Sequence, residues 1–154
     1  MSIKFLFIPM IALSAACNRS ANAPSSKREM FDAGGQEVIT SSANEKLRTL
    51  SILYGNNAAQ QAVIQCNGKH KAGEVFTLAT WGQVANPHWY GTCINGRIKT
   101  VETITVLPSL HDDIDIEYKL VKGPAPKDIK GNTINRQDRI SFILNQEPSV
   151  FPSR

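Results

Sequence analysis

The stretch that decides the predicted fold is HWYGTCINGRIKTVETITV, residues 88–106. β-Branched residues fill its second half, and Asn95-Gly96 is the dipeptide most typical of a two-residue hairpin turn. A turn there would place Cys93 opposite Ile98 on the paired strand. The sequence therefore predicts two antiparallel strands joined at Asn95-Gly96.

Three further segments are predicted as strands. Residues 74–81, EVFTLATW, are rich in β-branched and aromatic residues. Residues 114–121, IDIEYKLV, alternate apolar and charged side chains, which is typical of a half-buried strand. Residues 139–145, RISFILN, form the last predicted strand. With the hairpin, these segments predict an antiparallel sheet of about five strands.

Two short helices are predicted before the strands. Ser42 and Glu45 have the spacing of a capping box, and the apolar residues that follow recur at helical spacing up to Gly55. These apolar residues are Leu47, Leu50, Leu53 and Tyr54. Asn57 is the predicted cap of a second helix, which ends at Gly68. Its shared apolar face consists of Ala59, Ala62, Val63 and Cys66.

The predicted fold class is α+β, with the two helices packed on the antiparallel sheet. An alternative interpretation makes residues 50–55, LSILYG, and 62–67, AVIQCN, strands, because short apolar runs permit either structure. The corresponding alternative fold is an all-β sandwich or barrel.

Length and composition limit the class of protein. The chain has 154 residues, of which 42% are hydrophobic and 19% charged, and this suits one globular domain. Its net charge is +4, but the basic residues are scattered along the sequence. A nucleic-acid-binding protein usually clusters them on one face, so the sequence predicts no nucleic-acid partner.

The N-terminus has the organisation of a secretory signal. Residues 1–16 contain Lys4, then an apolar stretch, then small residues. The apolar stretch is too short for a stable transmembrane helix, which needs about 20 residues. Residues 1–16 are therefore predicted to be a leader that is removed.

The leader ends in LSAAC, residues 13–17, which resembles the lipobox of bacterial lipoproteins. The commonest lipobox has Leu where this chain has Ser14. The resemblance implies acylation of Cys17, for example with palmitate, and, with Asn18 next, an outer-membrane anchor facing the periplasm. The alternative is ordinary cleavage after residues 21–23, ANA, which would give a secreted or soluble periplasmic protein.

The remaining chain divides by composition into three parts. Residues 17–41 are rich in small and polar residues and are predicted to be a flexible, lipidated spacer. Residues 42–146 are the predicted globular domain, and residues 147–154 a flexible tail. Residues 122–138 form a long Pro- and Gly-containing loop whose basic side chains suit anionic headgroups or an acidic partner, although a solvated loop is the simpler interpretation.

Two cysteines remain once Cys17 is assigned to the lipid. In an oxidising compartment Cys66 and Cys93 are predicted to form a disulfide. No zinc, nucleotide-binding or serine-hydrolase motif is present, so the sequence predicts neither a metal nor a cofactor.

The candidate binding residues lie in WGQVANPHWYG, residues 81–91: Trp81, His88, Trp89 and Tyr90. Aromatic residues beside a loop are common in binding surfaces, but they also fill small cores. Trp81 and one of Trp89 and Tyr90 are predicted to lie in the core, which leaves the other for contact with a ligand.

The leading functional hypothesis is a lipid-anchored, non-enzymatic binding module with an envelope protein as partner. It would act as an accessory subunit of an envelope assembly or as an inhibitor that captures a protein. A second hypothesis is an envelope hydrolase that uses His111 with Asp112 or Asp113, the adjoining imidazole and carboxylates. A third is small-ligand binding on the aromatic loop.

Overall fold

The fold is a five-stranded antiparallel meander with two helices on one face. A computed structural model describes residues 28–65, 68–109 and 114–149. The elements are β1 (Glu37–Asn44), β2 (Thr49–Gly55), α1 (Asn57–Gln65), β3 (Val75–Ala85), β4 (Cys93–Pro108), β5 (Ile114–Lys122) and α2 (Arg136–Leu144). The strands are ordered β1-β2-β3-β4-β5 in the sheet. Two helices on a five-stranded antiparallel sheet agree with the predicted α+β class.

The predicted hairpin at Asn95-Gly96 is wrong, because both residues lie within β4. Asn95 pairs with Gln83 and Ile98 with Trp81, so two residues of β4 face one of β3 and form a bulge. A Cβ on Gly96 would come within 3.2 Å of the carbonyl oxygen of Gly82, which is tighter than an ordinary contact, so glycine suits the bulge. Asn95-Gly96 therefore allows β3 and β4 to approach closely and does not reverse the chain.

The chain reverses instead at residues 86–92. The Asn86 amide donates to the Thr92 carbonyl oxygen at 2.9 Å, and Gly91 adopts a φ of 77°. The Asn86 side chain also accepts the His88 amide at 3.0 Å. Asn86-Pro87 consequently starts the turn, and the β3–β4 hairpin extends beyond the rest of the sheet.

The first predicted helix is wrong, since its residues form the β1–β2 hairpin. The Asn44 side chain accepts the Leu47 amide at 3.0 Å, and Arg48 closes the turn with a φ of 49°. In β2, Thr49, Leu53 and Gly55 are buried, which is the period of a strand. The alternative interpretation of residues 50–55 as a strand is confirmed.

The second predicted helix is confirmed as α1, with its cap one residue earlier than expected. The Asn56 side chain accepts the Ala59 amide at 3.0 Å. Ala59 and Val63 are buried as the shared face predicts, so residues 62–65 are not a strand.

The last predicted strand is wrong, because residues 136–144 form α2. The Asn135 side chain accepts the Asp138 amide at 2.8 Å and caps the helix. Ile140 and Ile143, three residues apart, are both buried on one helical face.

The main core lies between the sheet and the two helices. Its sheet side includes Leu53, Phe76 and Ile104, each at most 1% exposed. Ala59 and Val63 of α1 and Ile140 and Ile143 of α2 cover them. A smaller cluster on the opposite face contains Ala79, Trp81, Ile98 and Val101.

The chain on both sides of the predicted domain contacts the sheet. Phe31 packs on the opposite face against Tyr54 and Trp81, with ring centroids 5.3 and 6.4 Å away. The Ser149 amide donates to the carbonyl oxygen of Ile39 in β1 at 3.0 Å. Residues 28–41 of the predicted spacer and 147–149 of the predicted tail thus belong to the folded structure.

Candidate binding groove

A groove lies on the helix-bearing face of the sheet, at the end where polar residues replace the core. Ser51 pairs with Thr80, and Thr80 with Thr100, in register across three strands. They continue the rows that begin in the core with Leu53 and Phe76, so they lie on the same face. The groove above them encloses about 920 Å³.

The floor of the groove carries hydroxyl groups. The Ser51 and Thr80 oxygens are hydrogen-bonded to each other at 2.8 Å. Thr49 and Thr100 are each 8% exposed. Ser42 and Asn44 extend this floor towards the edge of the sheet, opposite Ser51 and Thr49. A ligand resting here would meet several side chains that both donate and accept hydrogen bonds.

The walls of the groove are apolar and come from segments far apart in the sequence. They comprise Ala43 and Leu47 of the β1–β2 hairpin, Pro124, Ala125, Pro126, Ile129 and Ile134 of the loop before α2, and Phe142 of α2. Ile129 is 57% and Phe142 42% exposed, so the walls carry apolar area that no part of the described chain covers.

The loop of residues 123–135, which forms part of the groove wall, is held in shape by its own hydrogen bonds. The Asp128 carboxylate accepts the amides of Lys130 and Asn132, both at 2.8 Å. These backbone hydrogen bonds, with that of Asn132 foremost, lower the pKa of Asp128. Where the loop begins, a Cβ on Gly123 would meet the Lys99 carbonyl oxygen at 1.9 Å, so only glycine allows this approach to β4.

Lys99 and Lys127 give the groove a net positive charge over Asp128. The Arg139 guanidinium donates to both carboxylate oxygens of Glu102, at 2.9 and 2.5 Å, and Glu102 is fully buried. The Asp128 carboxylate accepts amides of its own turn and keeps its negative charge, which offsets one of the two lysines. Lys99 and Lys127 line the groove, and within the described residues neither has a carboxylate within ion-pair distance.

The Glu102 carboxylate also holds Tyr118, whose hydroxyl donates to it at 2.8 Å. Burial, helped by this hydrogen bond to the carboxylate, raises the pKa of Tyr118 to about 12. The cluster of Glu102, Arg139 and Tyr118 joins β4, β5 and α2, and so positions the helix that supplies one wall.

The predicted aromatic site is divided by the fold. Trp81 is 4% exposed, as predicted for the core, and its indole nitrogen donates to the Glu29 carbonyl oxygen at 2.8 Å. Trp89 is 72% exposed, Tyr90 fully exposed and His88 also exposed. The prediction that one of Trp89 and Tyr90 enters the core is wrong, because both lie in the turn rather than on a strand.

A second imidazole and carboxylate pair was missed by sequence reasoning. His70 Nδ1 lies 2.7 Å from the Glu74 carboxylate, which is 1% exposed and also accepts the Lys71 amide at 2.6 Å. The His70 ring packs edge-on against Phe76. These contacts secure the entry to β3, at the other end of the sheet from the groove.

Several predicted site residues lie outside the described residues: Cys17, Cys66, His111, Asp112 and Asp113. Cys93 is described and exposed. The predicted lipidation, disulfide and hydrolase site therefore stay predictions.

No protein-family model matches the sequence, and no curated protein gives a significant match. Within the described ranges there is no helix long and apolar enough to cross a bilayer. The same ranges hold no cluster of three or more His, Cys, Asp or Glu side chains suited to a metal ion.

Proposed function

We propose that this chain is a binding module of the bacterial envelope, tethered through Cys17, whose groove takes an amphipathic anion. By this we mean a molecule with an acyl-like body and one acidic group. The observation that carries the proposal is the groove itself, in which apolar walls, a hydroxyl floor and two lysines face one space. Neither lysine has a carboxylate partner among the residues that the structure describes.

The shape of the groove favours a ligand over a flat protein contact. Its volume of about 920 Å³ lies within the range of small-molecule sites, which are concave, mostly apolar and equipped with few polar groups. Ile129 and Phe142 provide the apolar area for the body of the ligand. Burying that area would supply most of the binding free energy.

The charges favour an acidic group on the ligand. Glu102 neutralises Arg139, and the Asp128 carboxylate offsets one of the two lysines, so Lys99 and Lys127 leave one net positive charge for the ligand. A carboxylate or phosphate between them would gain charge-assisted hydrogen bonds, and the floor hydroxyls could donate to its remaining oxygens.

The proposed tether would hold this site in the envelope. The leader of residues 1–16 and the LSAAC stretch support export and acylation. Each buried methylene of an acyl chain adds about 0.8 kcal/mol to the free energy of bilayer binding. A module held at a membrane surface has amphipathic anions as its immediate surroundings. An envelope protein, as the sequence predicts, would then deliver or receive the ligand.

Binding is tested by titrating the purified protein with a fluorescent fatty acid and with the matching fatty alcohol. We expect saturable binding of the acid, about tenfold weaker binding of the alcohol, and a similar loss for the acid in Lys99→Gln and Lys127→Gln. Lys119→Gln is the matched control, because Lys119 is 68% exposed on β5 and does not line the groove.

Two results would contradict the groove proposal. One is the absence of saturable binding by the folded protein. The other is equal weakening by Lys119→Gln, which would indicate general charge attraction. Co-purification of a peptide in the groove, identified by native mass spectrometry, would instead assign it to a protein partner.

The tether is tested separately by the intact mass of protein extracted from membranes, beside a Cys17→Ser variant. A lipid-bearing mass beginning at Cys17 is expected for the native chain. A lipid-free mass beginning at residue 24 would make the protein soluble in the periplasm or secreted, without bearing on the groove.

A further inference from the structure

The tip of the β3–β4 hairpin presents two large aromatic side chains to solvent. Trp89 is 72% exposed and Tyr90 fully exposed. The turn that carries them is internally bonded, because the Thr92 hydroxyl donates to the Trp89 carbonyl oxygen at 3.0 Å and Asn86 bonds Thr92 through the backbone. The aromatic rings thus project from a defined turn and have no role in either core cluster.

The arm that carries this tip is uncharged over its whole length. Residues 75–96 contain no Asp, Glu, Lys or Arg. Charge begins again at the base of the arm, where Arg97 and Arg28 are both exposed and Glu29 is paired with Lys122. A segment with aromatic residues at its end, no charge along it and arginines behind it has the order of groups that suits a bilayer interface, since charges resist leaving water and arginine attracts anionic headgroups.

The N-terminal segment enters the described part of the fold at the same end of the molecule as the tip. The Glu29 amide donates to the carbonyl oxygen of Gly96 at 3.0 Å, close to the base of the arm. Two residues later Phe31 contacts Tyr54, farther from the tip. The chain therefore runs away from the tip as residue numbers rise, and its upstream end faces the tip.

The distances are compatible with simultaneous anchoring and contact. Cys17 precedes Arg28 by 11 residues, which span at most about 40 Å when fully extended. The arm reaches from Gly96 to the turn over a few strand residues of about 3.3 Å each. A lipid at Cys17 would hold the aromatic tip within reach of the bilayer.

We propose that the β3–β4 tip docks on the lipid surface, with Trp89 and Tyr90 at headgroup level and Arg28 and Arg97 facing anionic lipids. This rests on the tether of the proposed function, and it gives the tethered domain a defined orientation. Tyrosine and tryptophan suit this position, because each combines an apolar ring with a polar group that stays hydrated.

The test uses membrane-extracted protein reconstituted into vesicles of phosphatidylethanolamine and phosphatidylglycerol in equal parts, with brominated acyl chains. The chain has two tryptophans, so the emission lost in Trp89→Phe is that of Trp89, and the rest comes from buried Trp81. We expect brominated lipid to quench roughly half of the Trp89 emission and to leave that of Trp81 unchanged.

Two variants sharpen this test. Tyr90→Ser should reduce the quenching of Trp89, because it removes the second interfacial ring. Ile64→Ser is the matched control and should leave quenching unchanged. Ile64 is 62% exposed on α1, and α1 follows the end of β2 that pairs with the start of β3, at the opposite end of β3 from the tip.

The tip proposal is overturned if Trp89 is quenched no more than Trp81. It is also overturned if a photo-crosslinker in place of Tyr90 links the tip to one protein rather than to lipid. The intact mass separates the two proposals: a lipid-bearing chain without quenching contradicts the tip proposal alone. A lipid-free chain contradicts the tether, and the tip proposal is then tested by the same quenching experiment with added vesicles.

Discussion

The two ends of the helix-bearing sheet face use the same strands for different purposes. At the closed end, Leu53 and Phe76 are buried beneath α1 and α2. At the open end, Ser51 and Thr80 carry hydroxyls on the floor of a groove. Leu53 and Ser51 are two positions apart on β2. Stability is therefore concentrated at one end of the face, which leaves the other end for the proposed ligand.

The largest effect is expected from Glu102→Ala, beside the closed end. Glu102 is fully buried between Arg139 and Tyr118. The substitution would leave the Arg139 side chain, which is only 12% exposed, without its counter-charge, so we expect the free energy of unfolding to fall by about 3–5 kcal/mol. Urea denaturation followed by circular dichroism measures it.

The matched control for Glu102 is Glu117→Ala on β5. Glu117 also has a cationic partner, Lys119 at 3.2 Å, but both side chains are largely exposed. Because water and salt screen this pair, the loss should be about 0–1 kcal/mol. Similar losses in the two variants would contradict the assignment of the Glu102 cluster as a buried brace.

The second prediction compares the two ends within β2. Leu53→Ala removes a side chain that is 1% exposed, and we expect a loss of about 2–5 kcal/mol in unfolding free energy. Ser51→Ala should cost about 1 kcal/mol or less, since it removes one hydrogen bond to Thr80. Ser51→Ala should nevertheless weaken fatty-acid binding, whereas a folded conservative variant, Leu53→Val, should not. The reverse pattern would contradict the assignment of stability to the closed end and of ligand binding to the open end.

Parts of the fold follow from local sequence patterns, and parts depend on competition between them. Strand β3 was predictable because its residue types agree with one structure only, and helix α1 because the alanines and glutamines of residues 58–62 favour a helix over the strand alternative. Residues 42–45 were misleading, since Ser and Asn begin turns as readily as helices. In α2, β-branched Ile140 and Ile143 suggest a strand, but the Asn135 cap and the helical spacing of the two isoleucines prevail.

The groove was harder to predict than the fold. Residues 122–138 attract attention as a long basic loop, and Lys127 does line the groove. The floor carries no such pattern, because Ser51, Thr80 and Thr100 become neighbours only through strand register. The Asn95-Gly96 turn prediction displaced that register, so the exposed tip at Trp89 was also assigned to a strand.

The third prediction concerns alkaline pH and the closed end. Burial, with the Glu102 hydrogen bond, raises the pKa of Tyr118 from 10.0 to about 12, so the folded state favours the neutral phenol. This stabilisation is fully present below pH 10.0 and is lost as the pH rises towards about 12. Burial also raises the pKa of Tyr54, which adds to the decline.

Tyr118→Phe should therefore remove part of the alkaline loss of stability, and Tyr54→Phe a further part. Urea denaturation at successive pH values from neutral to strongly alkaline measures both. Unchanged alkaline slopes in both variants would show that other groups cause the decline.

The smallest effect is expected at acidic pH from Glu29, which fastens the N-terminal segment beside the open end. Its carboxylate accepts the Ile98 amide at 2.9 Å and pairs with Lys122. The Lys122 hydrogen bond, then that of Ile98, lowers the pKa of Glu29 from 4.5, so its stabilisation is present above pH 4.5 and is lost below it.

Because Glu29 also accepts the Trp81 indole N–H through its backbone, hydrogen exchange of that proton reports the attachment of the segment. We expect exchange to accelerate as the pH falls below 4.5, relative to Glu29→Gln, in which it is already faster at neutral pH. Glu37→Gln is the control, since Glu37 contacts Gln60 instead. Faster exchange without global unfolding would show that the open end can alter its contacts while the closed end maintains the fold. A loss of stability as large as that of Glu102→Ala would contradict the assignment of stability to the closed end.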